Sequence, residues 1–321
     1  MRMKATVKAI LTRAGPFLGL LVVIALFSIP AETREVFLTY ANLKIVLTQT
    51  VIVAVGALGM TIIIVSGGID LSVGSNIALT SVVGALLIRQ GWGPAPALVA
   101  MVLSGAVIGL LNGVATAGLR VTPFIITLGT LGVARGGAKW LADNQTVNYE
   151  TSPLNGWMTT VDPYSYAMPA GVWIVLLLAV ITSLLLRNTV LGRHVFALGS
   201  NEATARLCGI PTRRLKIVIY TLAGCFFGLA GVFQLSRLRQ GDPTVAVGLE
   251  LDIIAAVIIG GASLSGGVGT ILGSMIGALI MAVLRNGTQL MEWPTYFQEI
   301  IIGLVIVVAV FLDRLRQGKS S

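Results

Sequence analysis

Long apolar runs separated by short polar stretches dominate the sequence from residue 16 onward. A helix that crosses a bilayer needs ~20 mostly apolar residues. The runs predict about ten spanning helices, at 16–32, 44–66, 72–88, 95–117, 121–141, 167–187, 215–235, 250–264, 268–285 and 295–312. An even number of spans places both termini on one side of the membrane. The pattern therefore predicts an all-α integral membrane protein, with residues 1–321 forming a single transmembrane domain.

Two of these spans differ from the others. The span 121–141 carries Arg135 and Lys139, and the span 250–264 begins with Glu250 and runs into a Gly/Ser-rich stretch. Backbone that leaves helical geometry at membrane depth is tolerated only where protein or a water-filled cavity satisfies its polar groups. We expect broken helices near mid-membrane at both places, next to a path for solute.

The two halves of the chain share a weak internal repeat. An offset of 174 residues aligns Val-Gly at 73–74 with 247–248 and Asn-Gly at 112–113 with 286–287. An offset of 193 residues instead aligns Gly-Gly at 67–68 with 260–261. Both offsets stay open, and the first is preferred because it covers a whole half. Since it corresponds to five spans, it predicts two five-helix halves of opposite orientation, as in many transporters.

The composition excludes a soluble fold. The chain is 55% hydrophobic and 11% charged, with a mean hydropathy of +0.91, so few charges remain for a water-facing surface. Lys and Arg number 22 against 13 Asp and Glu, a net charge of +9. Basic residues concentrate on the side of the N-terminus, which predicts cytoplasmic termini rather than nucleic-acid binding.

Enzymatic chemistry is not indicated. Cys208 and Cys225 lie in different surroundings and form neither a disulfide framework nor a metal-ligand spacing. The single histidine, His194, lies in a polar loop, and no complete phosphate-binding loop is present. We therefore predict no catalytic residue, no metal site and no cofactor bound by this chain.

A polar break at residues 66–76 separates two apolar runs and contains Asp70. A carboxylate near mid-bilayer costs ~2.5–3.5 kcal/mol on insertion scales, so it usually faces a cavity, a partner or a helix N-terminus. Asp70 is expected to cap a helix that starts near Leu71, to contact a solute, or both. Glu250 and Asp252 precede a second apolar run, where acidic residues favour the positive end of the helix dipole.

The longest polar connection on the predicted cytoplasmic side covers residues 191–210. Ser200 or Asn201 is suited to cap a short helix that runs through Leu207. Gly209 is suited to end that helix in the left-handed region, and Pro211 stops it from continuing. A short defined helix between two spans is more than a linker needs, which favours a docking role.

Three motifs together resemble the permease subunits of bacterial ABC importers of the ribose/xylose/galactose class. They are Gly-Ile-Asp-Leu-Ser-Val-Gly-Ser at 68–75, Leu-Gly-Arg to Gly-Ile at 191–210, and Glu-Leu-Asp to Leu-Ser-Gly-Gly at 250–267. The resemblance implies a ten-helix inner-membrane permease that works as a pair, either two identical copies or two paralogues. It also implies two partners, an ABC ATPase subunit that uses ATP and a periplasmic or lipoprotein sugar-binding protein.

The resemblance also implies roles for particular residues. It assigns coupling to the ATPase to Gly192, Arg193, Asn201, Glu202 and Gly209. The segments that contain Asp70 and the pair Glu250 and Asp252 would lie along or beside the substrate pathway. Serine and asparagine side chains suit a monosaccharide, because its hydroxyls both donate and accept hydrogen bonds. On that chemical ground the predicted pathway also includes Ser72, Ser75, Asn76 and Asn112. The alternative is a secondary transporter, in which Asp70 would exchange protons or hold a cation.

Overall fold

The computed structural model describes residues 2–119, 121–158 and 167–317, and these are almost entirely helical. The α-helices are α1 (Arg2–Ser28), α2 (Ala31–Phe37), α3 (Tyr40–Val65), α4 (Val73–Arg89), α5 (Pro94–Gly118), α6 (Pro123–Leu141), α7 (Ala170–Asn188), α8 (Val190–Ser200), α9 (Glu202–Leu207), α10 (Thr212–Leu238), α11 (Leu249–Ile259), α12 (Ile271–Leu290) and α13 (Thr295–Gln317). Two short strands, β1 (Val147–Asn148) and β2 (Gln240–Gly241), pair antiparallel, and a 3-10 helix covers Pro153–Trp157.

Each predicted span overlaps one of these α-helices over most of its length. By length and apolar composition, five of the described helices could cross a membrane, namely α3, α5, α7, α10 and α12. Three further apolar segments are shorter, namely Gly15–Ser28 of α1, the whole of α4 and Thr295–Val305 of α13. Helix α6 carries charges, and α11 has only 11 residues. The structure supports an all-α membrane protein, and α2, α8 and the 3-10 helix were not predicted.

The expected break in span 121–141 is wrong. Helix α6 continues without interruption from Pro123 to Leu141. The charge that suggested a break is accommodated in another way, because the Arg135 guanidinium donates to the backbone carbonyls of Pro243 and Val245, at 2.8 and 2.6 Å. A charged side chain in an apolar helix here marks a tertiary contact.

The expected short helix at 250–264 is confirmed. Helix α11 has 11 residues, so at 1.5 Å per residue it spans about 16 Å, roughly half of a bilayer core. The chain reaches the start of this helix through the non-helical segment 242–248. Ala246 (φ 60°) and Gly248 (φ 80°) adopt the left-handed region there and turn the backbone into the helix.

Small residues bring the central helices close together. Helices α5 and α10 pack along their length, with Gly105 and Gly109 facing Gly224 and Gly228. A Cβ atom on Gly224 would lie 3.0 Å from the Cα of Gly109, so the contact requires glycine on this face. Lipid offers no hydrophobic drive for helix association, and close packing of this kind replaces it.

The two ends of the bundle carry different structures. Strands β1 and β2 and the 3-10 helix lie at one end, called here the β end. Burial raises the pKa of Tyr149 at that end to about 12, so its hydroxyl stays protonated and donates to Asn155 Oδ1 at 2.9 Å. Helices α8 and α9 lie at the opposite end. Large apolar side chains on the outer helices are exposed, as for a lipid-facing surface, and include Leu21, Leu103, Ile125, Leu177 and Leu304.

Candidate translocation site and coupling element

Asp70 lies at the centre of a buried polar network. Its Oδ1 accepts hydrogen bonds from the backbone N–H of Ser72 at 2.8 Å and from the Ser72 hydroxyl at 2.6 Å. Its Oδ2 accepts one from Asn112 Nδ2 at 3.1 Å, and Asn112 Nδ2 also donates to Ser72 Oγ at 2.9 Å. All three residues are buried. Three of the predicted pathway residues, from α5 and from the turn before α4, therefore form one cluster.

The helix after Asp70 begins at Val73, later than the expected start near Leu71. Asp70 therefore does not cap the first turn of α4 in the usual way, in which the side chain accepts an N–H two or three residues into the helix. Its carboxylate instead accepts both hydrogen bonds from Ser72, two residues further along the chain. These bonds fix the backbone immediately before the helix.

Side chains of neighbouring helices hold the non-helical residues before α4. The carbonyl of Ile69 accepts from Tyr220 Oη on α10 and from Thr127 Oγ1 on α6, both at 3.4 Å. The backbone N–H of Leu71 donates to Thr127 Oγ1 at 3.2 Å. These contacts supply the partners that non-helical backbone needs away from water. Polar residues in otherwise apolar spans were the only sequence signal for Thr127 and Tyr220.

The starts of α4 and α11 lie next to each other inside the bundle. A Cβ atom on Gly74 would collide with the carbonyl oxygen of Ala246 and with Glu250 Oε2. Glu250 Oε1 accepts from the backbone N–H of Gly248 at 3.3 Å, which satisfies a donor at the start of α11. Helix α4 starts after the non-helical residues 66–72 and α11 after the segment 242–248, so we call both interrupted helices. They meet with their N-terminal ends, an arrangement that many transporters use around substrate.

A cavity of about 250 Å³ opens beside this meeting point. Its lining includes Ser75 from α4, Arg135 and Lys139 from α6, and Thr244 and Glu250 from the α11 side. The structure thus places two predicted pathway residues, Ser75 and Glu250, at one cavity. In the sequence, Arg135 and Lys139 indicated only a broken helix.

Several buried polar atoms in this region have no hydrogen-bond partner among the residues that the structure describes. Ser75 Oγ, Asn76 Oδ1 and Asn112 Oδ1 are buried and make no hydrogen bond among the described residues, although Asn76 Nδ2 donates to the Gly105 carbonyl at 3.2 Å. An unsatisfied buried polar group costs ~1–3 kcal/mol. Such groups are retained where water or a ligand pairs with them.

Asp252 occupies a different place from Glu250. Its buried carboxylate forms an ion pair with the Arg285 guanidinium of α12. Arg285 lines a second cavity, of about 180 Å³, between α3, α10, α12 and the start of α11. The structure therefore separates the predicted acidic pair, because Glu250 lines the first cavity and Asp252 pairs with a residue that lines the second. Val247 lines both cavities.

Residues 190–207 form two consecutive helices rather than one. Thr189 caps α8 by accepting the backbone N–H of Gly192 at 3.2 Å. A side chain on Gly192 would collide with the backbone of Leu186, so glycine allows the sharp turn from α7 into α8. Arg193 is exposed on the outer surface of α8.

Helix α9 follows the sequence prediction closely. Asn201, one of the two expected caps, accepts the backbone N–H of Thr204 at 2.9 Å, and Gly209 ends the segment with φ 84°. Glu202 accepts from Lys216 Nζ of α10 at 2.8 Å and faces Arg206 at 3.4 Å. Glu202 thus connects α9 to the first turns of α10.

Two loops meet at the end of α8. Gly199 lies against the carbonyl of Val65 at the end of α3, and the same carbonyl accepts from the backbone N–H of Gly267 at 2.8 Å. A Cβ atom on Gly266 would lie 2.9 Å from Gly67 Cα. The end of α8 therefore contacts both the segment before α4 and the loop after α11.

Metal ligation has no support in the described parts of the chain. No group of three or more histidine, cysteine or acidic residues there is placed to hold a metal ion. Cys208 and Cys225 are free thiols.

These features define a class of protein, an all-α membrane protein with two interrupted helices that meet inside the bundle and a helical element at one end. Comparison with known proteins gives the family. The family model described as "Branched-chain amino acid transport system / permease component" matches residues 42–310. The chain belongs to this family. No solved structure matches it significantly.

Curated relatives cover nearly the whole chain. The ribose import permease protein RbsC of Escherichia coli (strain K12) is 40% identical over 97% of this chain and 96% of its own length. The L-arabinose ABC transporter permease protein AraH of Azospirillum brasilense is 34% identical over 99% of this chain and 92% of its own. The D-allose transport system permease protein AlsC of E. coli (strain K12) is 34% identical over 94% and 91%.

Membership of the family establishes the kind of protein. The chain is a transport subunit and not an enzyme, and it is a multi-pass protein of the inner membrane. A permease of this kind works with an ATPase and a substrate-binding partner. The comparisons support an ATP-driven importer and do not support the alternative of a secondary transporter.

Proposed function

We propose that this chain is the transmembrane permease of an ABC importer that moves a monosaccharide across the bacterial inner membrane. The observation that carries the proposal is the likeness over nearly the whole chain to import permeases for ribose, arabinose and allose. The chain itself performs no covalent chemistry. ATP binds and is hydrolysed on a separate ABC subunit, and a periplasmic or lipoprotein sugar-binding protein delivers the sugar.

The substrate pathway runs past the meeting point of α4 and α11. The cavity lined by Ser75 and Glu250 supports this position. The unpartnered atoms Ser75 Oγ, Asn76 Oδ1 and Asn112 Oδ1 give further support, because sugar hydroxyls pair with either donors or acceptors. Asp70 shapes the pathway by holding Ser72 and Asn112, and contact between the Asp70 carboxylate and sugar is not required.

The transmembrane domain consists of two five-helix halves of opposite orientation, with ten spans in all. The starts of α3, α4, α5 and α6 (40, 73, 94 and 123) correspond to those of α10, α11, α12 and α13 (212, 249, 271 and 295), close to the 174-residue offset. A repeated turn supports the correspondence. Asp242 Oδ1 accepts the N–H and the hydroxyl of Thr244 at 2.8 and 2.7 Å, as Asp70 does with Ser72.

Helices α8 and α9 form the coupling element on the cytoplasmic side, where both termini lie. Exposed Arg193 supplies a contact for the ATPase, and Asn201, Glu202 and Gly209 fix the shape of α9. The junction of Gly199 with residues 67 and 266 links this element to both interrupted helices. ATP-driven movement of α8 then opens the pathway to opposite faces in turn. A second permease, identical or paralogous, completes the core.

Uptake by proteoliposomes tests the proposal. The permease is reconstituted with its ATPase and binding protein, and uptake of D-ribose, L-arabinose and D-allose is measured one at a time. Uptake of at least one sugar is expected with ATP inside and the binding protein outside. Uptake driven by a proton or sodium gradient without ATP would contradict the proposal.

A further inference from the structure

A second cavity, of about 180 Å³, lies near the β end of the bundle. Its polar lining comes from three spans, with Gln49 on α3, Gln234 and Arg237 on α10, and Arg285 and Gln289 on α12. One water needs only ~10–15 Å³ of such space, whereas drug-sized ligands fill ~300–1,000 Å³. The cavity therefore suits a small polar molecule.

Two buried polar atoms at this cavity lack a partner in the part of the chain that the structure describes. Gln49 Oε1 and Arg285 Nε make no hydrogen bond there, and the contact from Gln49 Nε2 to Gln289 Oε1 is long, at 3.5 Å. A matching ligand must donate to the amide oxygen and accept from the guanidinium. A hydroxyl group does both, whereas a carboxylate or phosphate anion has no proton for Gln49 Oε1.

Charge at the cavity is balanced at Arg285 and remains at Arg237. The ion pair with buried Asp252 balances the charge of Arg285 and holds its guanidinium at the wall. Arg237 and three glutamines complete the polar lining. Guanidinium and amide groups both form hydrogen bonds with hydroxyls, so the wall suits a sugar and does not require a charged ligand.

We propose that this cavity is a second sugar-binding station, in which Gln49, Gln289 and Arg285 hold a neutral monosaccharide by its hydroxyls. The inference rests on the proposed function and extends it, because none of these three residues belongs to the predicted pathway. The station lies near the β end, opposite the coupling element. Val247 lines both cavities, so the sugar passes this residue between the two stations. Asp252 acts as a positioning residue through Arg285.

Protection from thiol labelling tests the station directly. Cysteine is introduced as Gln289→Cys, with Gln90→Cys as the matched control, in a chain that carries Cys208→Ser and Cys225→Ser. Gln90 is an exposed glutamine at the end of α4 and does not line the cavity. The complete transporter in nanodiscs is labelled with a methanethiosulfonate reagent, with and without D-ribose, L-arabinose or D-allose.

A sugar that the proteoliposomes take up is expected to slow labelling at position 289 and to leave position 90 unchanged. Adding Gln49→Leu is expected to raise the sugar concentration for half protection by roughly 5- to 10-fold, the loss of about one hydrogen bond to a ligand. Adding Gln90→Leu should leave that concentration unchanged. Assembly of each variant with the ATPase, measured by size-exclusion chromatography, shows that the fold is intact.

The possible outcomes distinguish a failure of the second sugar-binding station from a failure of the proposed function. Normal uptake of a sugar with no protection at position 289 would overturn the station and leave the proposed function in place. Equal or stronger protection by D-gluconate, a sugar acid, would overturn its assignment to neutral sugars. Failure of ATP-dependent uptake for all three sugars would count against the proposed function itself.

Discussion

At the residue scale, the polar side chains of this protein act mainly on its non-helical backbone. Asp70 fixes the turn before α4, and Arg135 binds two carbonyls of segment 242–248. Thr127 and Tyr220 hold the carbonyl of Ile69. An interrupted helix exposes backbone groups that lipid cannot satisfy, so each interruption needs such partners. The sequence showed the positions of the polar residues but not which backbone groups they bind.

The two aspartate turns provide a matched test of burial. Asp70→Ala removes the acceptor for Ser72 and Asn112 in a buried site, and we expect a loss of stability of about 1–3 kcal/mol with reduced uptake. Asp242→Ala removes the same two bonds to Thr244 at an exposed site, where water replaces them. Thermal unfolding in detergent measures both. Equal destabilisation by the two substitutions would contradict the role assigned to burial.

A second residue-scale prediction concerns Arg135. Arg135→Leu keeps the apolar character of α6 but leaves the carbonyls of Pro243 and Val245 without their donor. We expect uptake to fall at least roughly tenfold, since this segment sets the start of α11. Arg89→Leu, which removes an exposed charge at the end of α4 and lines neither cavity, is the control. Uptake measured in proteoliposomes tests the prediction, and an equal or larger loss for Arg89→Leu would refute the assignment.

At the scale of elements, helix α8 is joined to the bundle by backbone contacts rather than by side chains. Gly199 packs against the Val65 carbonyl, and Gly67 and Gly266 lie beside it. Contacts of this kind leave no space for adjustment, so a displacement of α8 is passed to both neighbouring loops. Sequence reasoning identified the docking region 191–210 but not this junction.

Gly199→Ala is expected to uncouple ATP hydrolysis from transport. The added methyl group would collide with the Val65 carbonyl and push α8 away from the end of α3. ATPase activity of the complex should persist while sugar moved per ATP falls severalfold. Gly129→Ala on α6 is the control and should behave as wild type, because its added methyl group would meet no atom of another described element within 4 Å. Normal coupling in Gly199→Ala would exclude the junction as the connecting point.

Arg193 tests the docking surface on the same element. Arg193→Ala removes an exposed charge from α8, and we expect weaker copurification of the ATPase with unchanged membrane insertion. Arg89→Ala removes an exposed charge at the end of α4, on the opposite end of the bundle, and should have no effect. Glu202→Gln should act indirectly, by loosening α9 from Lys216. Undiminished copurification of Arg193→Ala would remove this residue from the docking surface.

At the scale of the whole molecule, the orientation of the bundle is the central expectation. The exposed native residue Cys208, just beyond α9, reports it without an introduced cysteine. In a Cys225→Ser chain, a membrane-impermeant maleimide should label Cys208 in inside-out vesicles and not in intact spheroplasts. Labelling in intact spheroplasts would place α8 and α9 outside the cytoplasm and exclude them from ATPase docking.

The sequence alone determined the class of this protein, because apolar runs of spanning length and a scarcity of charge admit few other folds. It also located α9, with Ser200 or Asn201 as its cap, and the short helix α11, since caps, glycines and helix length are local properties. Only the tertiary structure decided that α6 is continuous, that Asp252 pairs with Arg285 and that Glu250 reaches the start of α4. The contacts of Asp252 and Glu250, like those of Arg135 on α6, join residues far apart in the chain. Their partners follow from how the helices pack, which no local pattern specifies.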